Sequence, residues 1–519
     1  MFYKEIALNA AWQELRKFNF IIKLRLNRIS LYVLFLISLA SCNATEKEKR
    51  PNIIWIFSDD HSYQTIGAYG DRFASFNPSP NIDRIANEGM RFDRCYVANS
   101  ICAPSRATLL TGLHSHMNGK INNQIPFNHD QQQFQKILQQ NGYQTVMIGK
   151  IHIDGKMQGF DHWEVLPGQG DYYDPTFITD AGKHKITGYV TDIITDKSLD
   201  WLKNKRDKEK PFMLMIHHKA PHRWWIPAER HMSKYEDAVF PEPHNLFDDY
   251  ATRTTAAREQ DMSIEKTMTL HKDLKLGDNY GGPVGMYDKR KVWFEENKPT
   301  GKDLVRWKYQ AYMQDFLRCT WGVDENVGRV LDYLEENGLA ENTVICYSSD
   351  QGFYMGEHGW FNKRFMYEES FRTPLLVRWP GHIKPGSVNT DLVQNIDFAE
   401  TFLDLANAEI PENMQGESLV PLLMGKTPSD WRKSLYYHYY EYPGGHSVRR
   451  HEGVTDKRYK LIRFYGKDVP GGEEWELYDL EKDPSEMNNV FENKMYEDIV
   501  QQMKEELKIL REKYQVSEE

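Results

Sequence analysis

The chain predicts an α/β fold, with a large mixed, mostly parallel sheet sandwiched by helices and then a smaller antiparallel sheet with a helix at the carboxyl end. Three observations predict it. Four short apolar runs, at residues 51–57, 144–148, 212–216 and 343–347, each stop abruptly at a cluster of polar residues, as buried parallel strands do at their carboxyl ends. Helical patterns at 130–141, 191–205 and 302–337 separate those runs, and such alternation covers both faces of one sheet. Beyond about residue 430 the texture changes to aromatic segments at 434–441, 459–465 and 475–480, joined by glycine- and proline-containing turns and followed by an amphipathic stretch at about 493–514, which reads as antiparallel strands and a helix. With 519 residues the chain exceeds what one core normally holds, and its 40% hydrophobic content excludes global disorder. Sixty-five basic against 75 acidic residues give a net charge of −10. That balance excludes the basic footprint of a general nucleic-acid binder and leaves room for a local basic pocket that takes a small anion.

At the amino terminus, Arg16, Lys17, Lys23, Arg25 and Arg28 precede an uncharged apolar run at 29–41, too short to span a bilayer. Basic segment, apolar run and small residues form the order of an export signal. Leu39-Ala40-Ser41-Cys42 resembles a bacterial lipobox, in which the cysteine is lipidated and becomes the new amino terminus; an ordinary cleaved signal with Cys42 incidental is the alternative. The expected organisation is a leader at 1–42, a solvated tether at 43–50, a main α/β domain at 51–430 and a carboxyl-terminal subdomain at 431–519. The protein is expected to be exported, as a periplasmic or outer-membrane lipoprotein whose membrane contact is the lipid on Cys42.

The four strand ends carry the chemistry. The first run ends in Ser58-Asp59-Asp60-His61, the second in Gly149-Lys150-Ile151-His152, the third in His217-His218-Lys219-Ala220-Pro221-His222 and the fourth in Ser348-Ser349-Asp350-Gln351-Gly352. Parallel strands bring these ends to one edge. Asp59, Asp60, Asp350 and Gln351 would offer oxygen ligands to a hard divalent cation. Lys150, His152, His218 and His222 would supply positive charge and proton transfer beside it. Any one of these alone would be an ordinary loop acid or hydrogen-bonded histidine, but four coincidences at strand ends point to a metal-assisted hydrolase acting on an anionic ester.

Ser100-Ile101-Cys102-Ala103-Pro104-Ser105-Arg106-Ala107-Thr108-Leu109-Leu110-Thr111-Gly112 resembles the signature of the type I sulfatases, and 142–152 resembles their second signature, departing from it at Ile151. The resemblance implies an alkaline-phosphatase-like sheet and oxidation of Cys102 to formylglycine by a maturation enzyme. It implies one calcium ion held by Asp59, Asp60, Asp350 and Gln351, with modified Cys102 completing the sphere; Gln351 stands where asparagine or histidine is commoner. Arg106 matches the arginine that holds the formylglycine, and Lys150, His152, His222 and Lys363 match the groups that bind sulfate and move protons. His218 would serve either the substrate or the fold. In the implied reaction one hydroxyl of hydrated formylglycine attacks sulfur in line with the departing sugar oxygen, and the other then expels sulfate. Residues 367–381 look like the later strand that closes the family's sheet.

For the substrate, the strings at 189–192, 199–202, 212–216 and 220–222 look most like N-acetylglucosamine-6-sulfatases. That implies removal of 6-O-sulfate from the end of a host glycan such as heparan, heparin, keratan or mucin. His446 and His451, in a polar aromatic stretch at 436–451, are candidate sugar contacts, with a solvated loop as the alternative. Trp224 and Trp225 either stack on a sugar or pack in the core. Residues 241–300 carry no motif and are expected to form an irregular excursion. The competing readings are a sulfatase for another sulfated sugar, a phosphonate monoester or phosphodiester hydrolase, and a non-catalytic carbohydrate-binding lipoprotein.

Overall fold

The computed structural model describes residues 8–25 and 50–517, which fall into one unit within residues 1–50 and a second spanning 51–519. In the first unit residues 8–25 form a helix, and no helix among the described residues is long and apolar enough to cross a membrane. The apolar run at 29–41 and the lipobox cysteine Cys42 lie outside the described residues.

The second unit is organised by a ten-stranded sheet, in the spatial order Ser387–Asn389, Met90–Phe92, Leu375–Arg378, Thr343–Ser349, Asn52–Ser58, Phe212–His217, Gln144–Gly149, His162–Val165, Thr176–Thr179, Gly182–Lys185. The five strands from Thr343–Ser349 to His162–Val165 run parallel, and antiparallel partners flank them on both sides. Each central strand carries an unbroken apolar run because both faces are covered. Alternate residues serve opposite layers. Ile54, Ile56, Leu214 and Ile216 pack with Phe316, Val323, Val327, Val330 and Leu334 of the long helix Gly301–Glu336. Ile53, Trp55, Phe57, Met213 and Met215 pack with Leu109, Leu110, Phe134, Phe398 and Phe402 on the other face.

Register decides what reaches the edge. Phe57 is level with His217 and Ser348, and His217 is level with Gly149. The residues that follow, Asp59, Asp60, Asp350, Lys150 and His218, therefore leave the sheet within one step of each other. Gly149 has φ 112°, and a side chain there would run into the backbone oxygen of His217; only glycine lets the chain turn there and aim Lys150 inward.

A four-stranded antiparallel sheet, Leu435–Tyr439, His451–Thr455, Tyr459–Tyr465 and Glu473–Asp479, follows in simple order, covered by the helix Glu497–Lys513. Its second strand was not expected. The sequence His451-Glu452-Gly453-Val454-Thr455 looks like a polar loop, yet it is paired on both sides and buried throughout. Residues 241–300 hold the short helices Thr255–Glu259 and Asp288–Asn297, with turns and irregular chain between.

Candidate active site

Asp59 and Asp60 follow the strand Asn52–Ser58, and Asp60 is left-handed at φ 66°. That turn directs its backbone N–H onto Asp350 Oδ1 at 3.0 Å. Cys102 opens the fully buried helix Cys102–Thr111, and its Sγ lies 3.5 Å from Asp59 Oδ1. Arg106 is one turn further along. Its Nε donates to Asp350 Oδ2 at 3.1 Å and its Nη1 to the Lys150 carbonyl, while Nη2 reaches the same Asp350 oxygen at 3.1 Å and Asp59 Oδ1 at 3.5 Å. Lys150 Nζ donates to Asp59 Oδ2, and Lys363 Nζ donates to Asp60 Oδ1 and stands 3.1 Å from Cys102 Sγ. His222 Nδ1 donates to the Arg223 carbonyl at 2.6 Å, which leaves Nε2 facing Asp60 Oδ2 at 3.7 Å.

Ligand atoms of Asp59, Asp60, Asp350 and Cys102 all fall within 4.8 Å of one another. Burial raises the Asp60 pKa, and Asp350 beside it adds to the effect against Lys363. Burial also works against the Asp350 carboxylate, but Arg106, Lys363 and Lys150 outweigh it and hold Asp350 below the usual range. The Cys102 thiol is pushed up to about 12 by burial, with Asp350 and Asp60 adding to it against Lys363 and Arg106. An unmodified Cys102 is thus a protonated thiol rather than a nucleophilic thiolate.

The donor set fits a calcium-like cation. Three buried carboxylates converge on one point, and buried Gln351 Oε1 has no hydrogen-bond partner. The same amide's Nε2 lies against Asp60 Oδ1 and 2.8 Å from Asp350 Oδ1; turning the amide over puts its oxygen there instead, where a cation would take it as a ligand. Four oxygen-bearing side chains suit a hard divalent ion, with His222 close enough to Asp59 and Cys102 to stand at the edge of the group.

His152 lies beside this group, left-handed at φ 53°, with Nδ1 buried and without a partner. His218 is buried directly after the strand Phe212–His217, its backbone N–H donating to Phe57 O at 2.7 Å. His446 accepts from Asn362 Nδ2 at 2.8 Å and donates to Asp261 O at 2.6 Å, next to Lys363 in sequence terms through Asn362. His451 is not a sugar contact. It is fully buried among Phe365, Tyr437, Tyr439 and Phe464, its Nε2 accepts from Met366 N at 3.1 Å, and its Nδ1 donates to Arg449 O at 2.8 Å. Trp225 is core, with its ring 4.4 Å from Tyr312, whereas Trp224 is partly exposed with Lys272 Nζ 3.7 Å over its face. Two residues escaped the sequence reading: Gln169, which contacts both Lys150 and His152, and Lys219, which holds the Gln169 backbone. The one available signal was a polar side chain enclosed in the turn Pro167-Gly168-Gln169-Gly170.

A sulfatase family model matches residues 51–408, and the model of the N-sulphoglucosamine sulphohydrolase carboxyl-terminal region matches 356–513. The chain belongs to the sulfatase family. It is a sulfuric ester hydrolase, with the large mixed sheet and small antiparallel sheet expected of that fold. This sulfatase is 51% identical to an N-acetylglucosamine-6-O-sulfatase of Bacteroides thetaiotaomicron over 92% of this chain and 88% of the relative. It is 28% identical to the N-acetylglucosamine-6-sulfatase of Homo sapiens over 75% of this chain and 67% of that protein. A solved structure in complex with its substrate D-glucosamine-2-N,6-O-disulfate superposes with a TM-score of 0.86 at 50% identity, covering 90% of this chain and 98% of the other.

Proposed function

We propose that this sulfatase removes the 6-O-sulfate from a terminal N-acetylglucosamine or N-sulfated glucosamine of a glycan. The observation that carries the proposal is the 50% identity, across 90% of the chain, to a structure holding a 6-O-sulfated glucosamine. A polar cavity close in the chain to the Cys102 helix supports it. Residues 121–124 and 440–450 line a cavity of about 590 Å³ that includes Tyr440, Glu441 and Arg450, and Asn123 ties that wall to the Cys102 helix by accepting from Ala103 N at 3.2 Å.

Asp59, Asp60, Asp350 and Gln351 are the proposed holders of one calcium ion, which when bound polarises sulfate oxygens and stabilises their growing charge. Cys102 is the proposed site of formylglycine, made by a maturation enzyme, which supplies an oxygen nucleophile that a protonated thiol lacks. Lys150, buried against Asp59, and Lys363, 3.1 Å from Cys102 Sγ, are the proposed groups that bind the sulfate oxygens. Arg106 fixes Asp350 and Asp59. His222 is placed to give a proton to the sugar oxygen as the S–O bond breaks, so that the electron pair of that bond ends on an alcohol. Burial, Lys150 and Lys219 push the His222 pKa well below its usual value in the unliganded site; the charge of a bound sulfate ester acts in the opposite direction. The export pattern ahead of residue 42 supports a lipoprotein anchored through Cys42 at the periplasmic face or the cell surface, and loss of labelled-lipid incorporation in Cys42→Ala tests it.

The substrate is tested with a panel of 6-O-sulfated N-acetylglucosamine, 6-O-sulfated N-acetylgalactosamine, 3-O-sulfated galactose, 2-O-sulfated uronic acid and an aryl phosphonate. Turnover of the first is expected. Turnover of any other with the first untouched overturns the assignment.

A further inference from the structure

Lys150 and His152 leave the strand Gln144–Gly149 on irregular chain, so no helix or sheet periodicity sets their directions. One amide does. Lys150 Nζ donates to Gln169 Oε1 as well as to Asp59 Oδ2, and Gln169 Nε2 lies 3.4 Å from His152 Nε2. The glutamine sits on a tight turn in which Gly170 N donates to Pro167 O at 2.9 Å and Gly168 and Gly170 have φ 51° and 65°. Lys219, 4% exposed, donates to the Gln169 carbonyl at 3.1 Å from 4.8 Å above the Tyr172 ring. The turn is therefore clamped by the segment that follows the neighbouring strand.

We infer that Gln169 is a positioning residue for the reaction, whose single amide directs the Lys150 ammonium and fixes which nitrogen of His152 carries the proton, while Lys219 holds the glutamine in place. The amide oxygen accepts from Lys150, and the amide N–H donates to His152 Nε2. The imidazole proton is thereby assigned to Nδ1, the nitrogen left buried without a protein partner. An ammonium has three donors and Lys150 spends two of them. One N–H of Lys150 and the Nδ1–H of His152 are left without a protein partner. A glutamate could accept from Lys150 but could face His152 Nε2 only if the ring were protonated, and an apolar residue could do neither.

The inference rests on the proposed roles of Lys150 and His152 at the sulfate. It is tested in matured full-length enzyme on 6-O-sulfated N-acetylglucosamine. Gln169→Ala should lower kcat about 10- to 100-fold with KM changed by less than about threefold, because misdirected groups cost transition-state more than ground-state binding. Calcium content and Tm should stay at the native values. Gln169→Glu should move the acidic limb of the kcat–pH profile upward, since a carboxylate favours the imidazolium form of His152; the other charged groups around that ring, Lys150, Arg106, Lys363 and Asp350, are unchanged. Lys219→Met combined with Gln169→Ala should fall well short of the product of the two single losses, as expected for residues acting as one unit. A Gln169→Ala enzyme with kcat within about twofold of native overturns the inference, as does a Gln169→Glu enzyme with the native acidic limb, which also decides the matter should the alanine variant fail to fold. Absence of sulfate release by the unsubstituted enzyme overturns instead the reading of the site beneath it.

Discussion

At the carboxyl edge of the large sheet, Asp59, Asp60 and Asp350 crowd together with Lys150, Lys363 and Arg106, and buried Gln351 Oε1 and His152 Nδ1 still lack partners. In the carboxyl-terminal subdomain charge is buried as deeply but mostly paired, in part with the main domain, although Arg449 Nε and the Tyr439 hydroxyl lack partners. Lys460 lies 2.8 Å from both Glu368 and Glu486, Glu452 is held by Arg463, Arg511 and Tyr436, and His438 bridges the hydroxyls of Tyr436 and Tyr465. The difference separates a site from a scaffold. Buried polar groups that satisfy one another specify a fold, whereas a buried cluster with unpaired atoms pointing inward is arranged for something that arrives later.

The sharpest way to break this comparison is at Cys102. Cys102→Ala should abolish sulfate release, by at least about 10⁴-fold, while Tm stays within a few degrees, and peptide mass spectrometry of the matured native enzyme should show an aldehyde or its hydrate at residue 102. Full activity with an unmodified cysteine would sink the chemistry. Asp350→Asn comes next. It removes a carboxylate that also holds Arg106, so activity should fall about 10³-fold or more, and added calcium should no longer raise Tm as it does for an enzyme whose native state alone binds the ion. Unchanged melting and activity of the native enzyme after chelation would refute the metal site.

The scaffold should respond in the opposite sense. Lys460→Met leaves Glu368 and Glu486 without their shared cation and should cost about 3–5 kcal/mol, read by denaturant unfolding, with the specific activity of the folded fraction nearly unchanged. A large fall in kcat at constant stability would erase the distinction between the two regions. The smallest effect concerns Glu400, 1% exposed, whose pKa is raised to about 8 by burial and by Asp397 beside it. The unfolded chain releases this proton near the ordinary glutamate value, about 4.3, and the folded chain keeps it. Stability from this group is therefore full below that value and is lost as pH rises toward about 8. Glu400→Gln should flatten that decline, read as a smaller difference between Tm at pH 5 and at pH 8; a slope identical to native would remove Glu400 from the account.

Much of the site was legible because its residues sit where local patterns break. Asp59, Lys150, His222 and Asp350 each follow an apolar run, and Cys102 and Arg106 lie in one continuous signature. What was not legible depends on partners far along the chain. His451 reads as a polar loop residue until Leu435–Tyr439 and Tyr459–Tyr465 pair on either side of it. Gln169 acquires its meaning from Lys150, 19 residues earlier, and Lys219, 50 residues later. The flanking antiparallel strands, such as Leu375–Arg378 against Thr343–Ser349, are likewise set by long-range pairing that no periodicity encodes.

One consequence follows from the burial of the helix Cys102–Thr111, every residue of which is inaccessible. The segment leading into it is tied to the small sheet: His438 N donates to Ala98 O at 3.0 Å, and Ser100 N donates to the Tyr437 hydroxyl at 3.3 Å. In the folded chain Cys102 is 1% exposed, so a second enzyme that oxidises it would have to reach it before this closure, and residues 435–439 are synthesised more than 300 positions later. On the proposed chemistry, the modification has a deadline set by the order of synthesis. Chain made without its maturation partner closes over an intact thiol, and supplying the partner afterwards should restore nothing until the protein is unfolded and allowed to fold again in its presence.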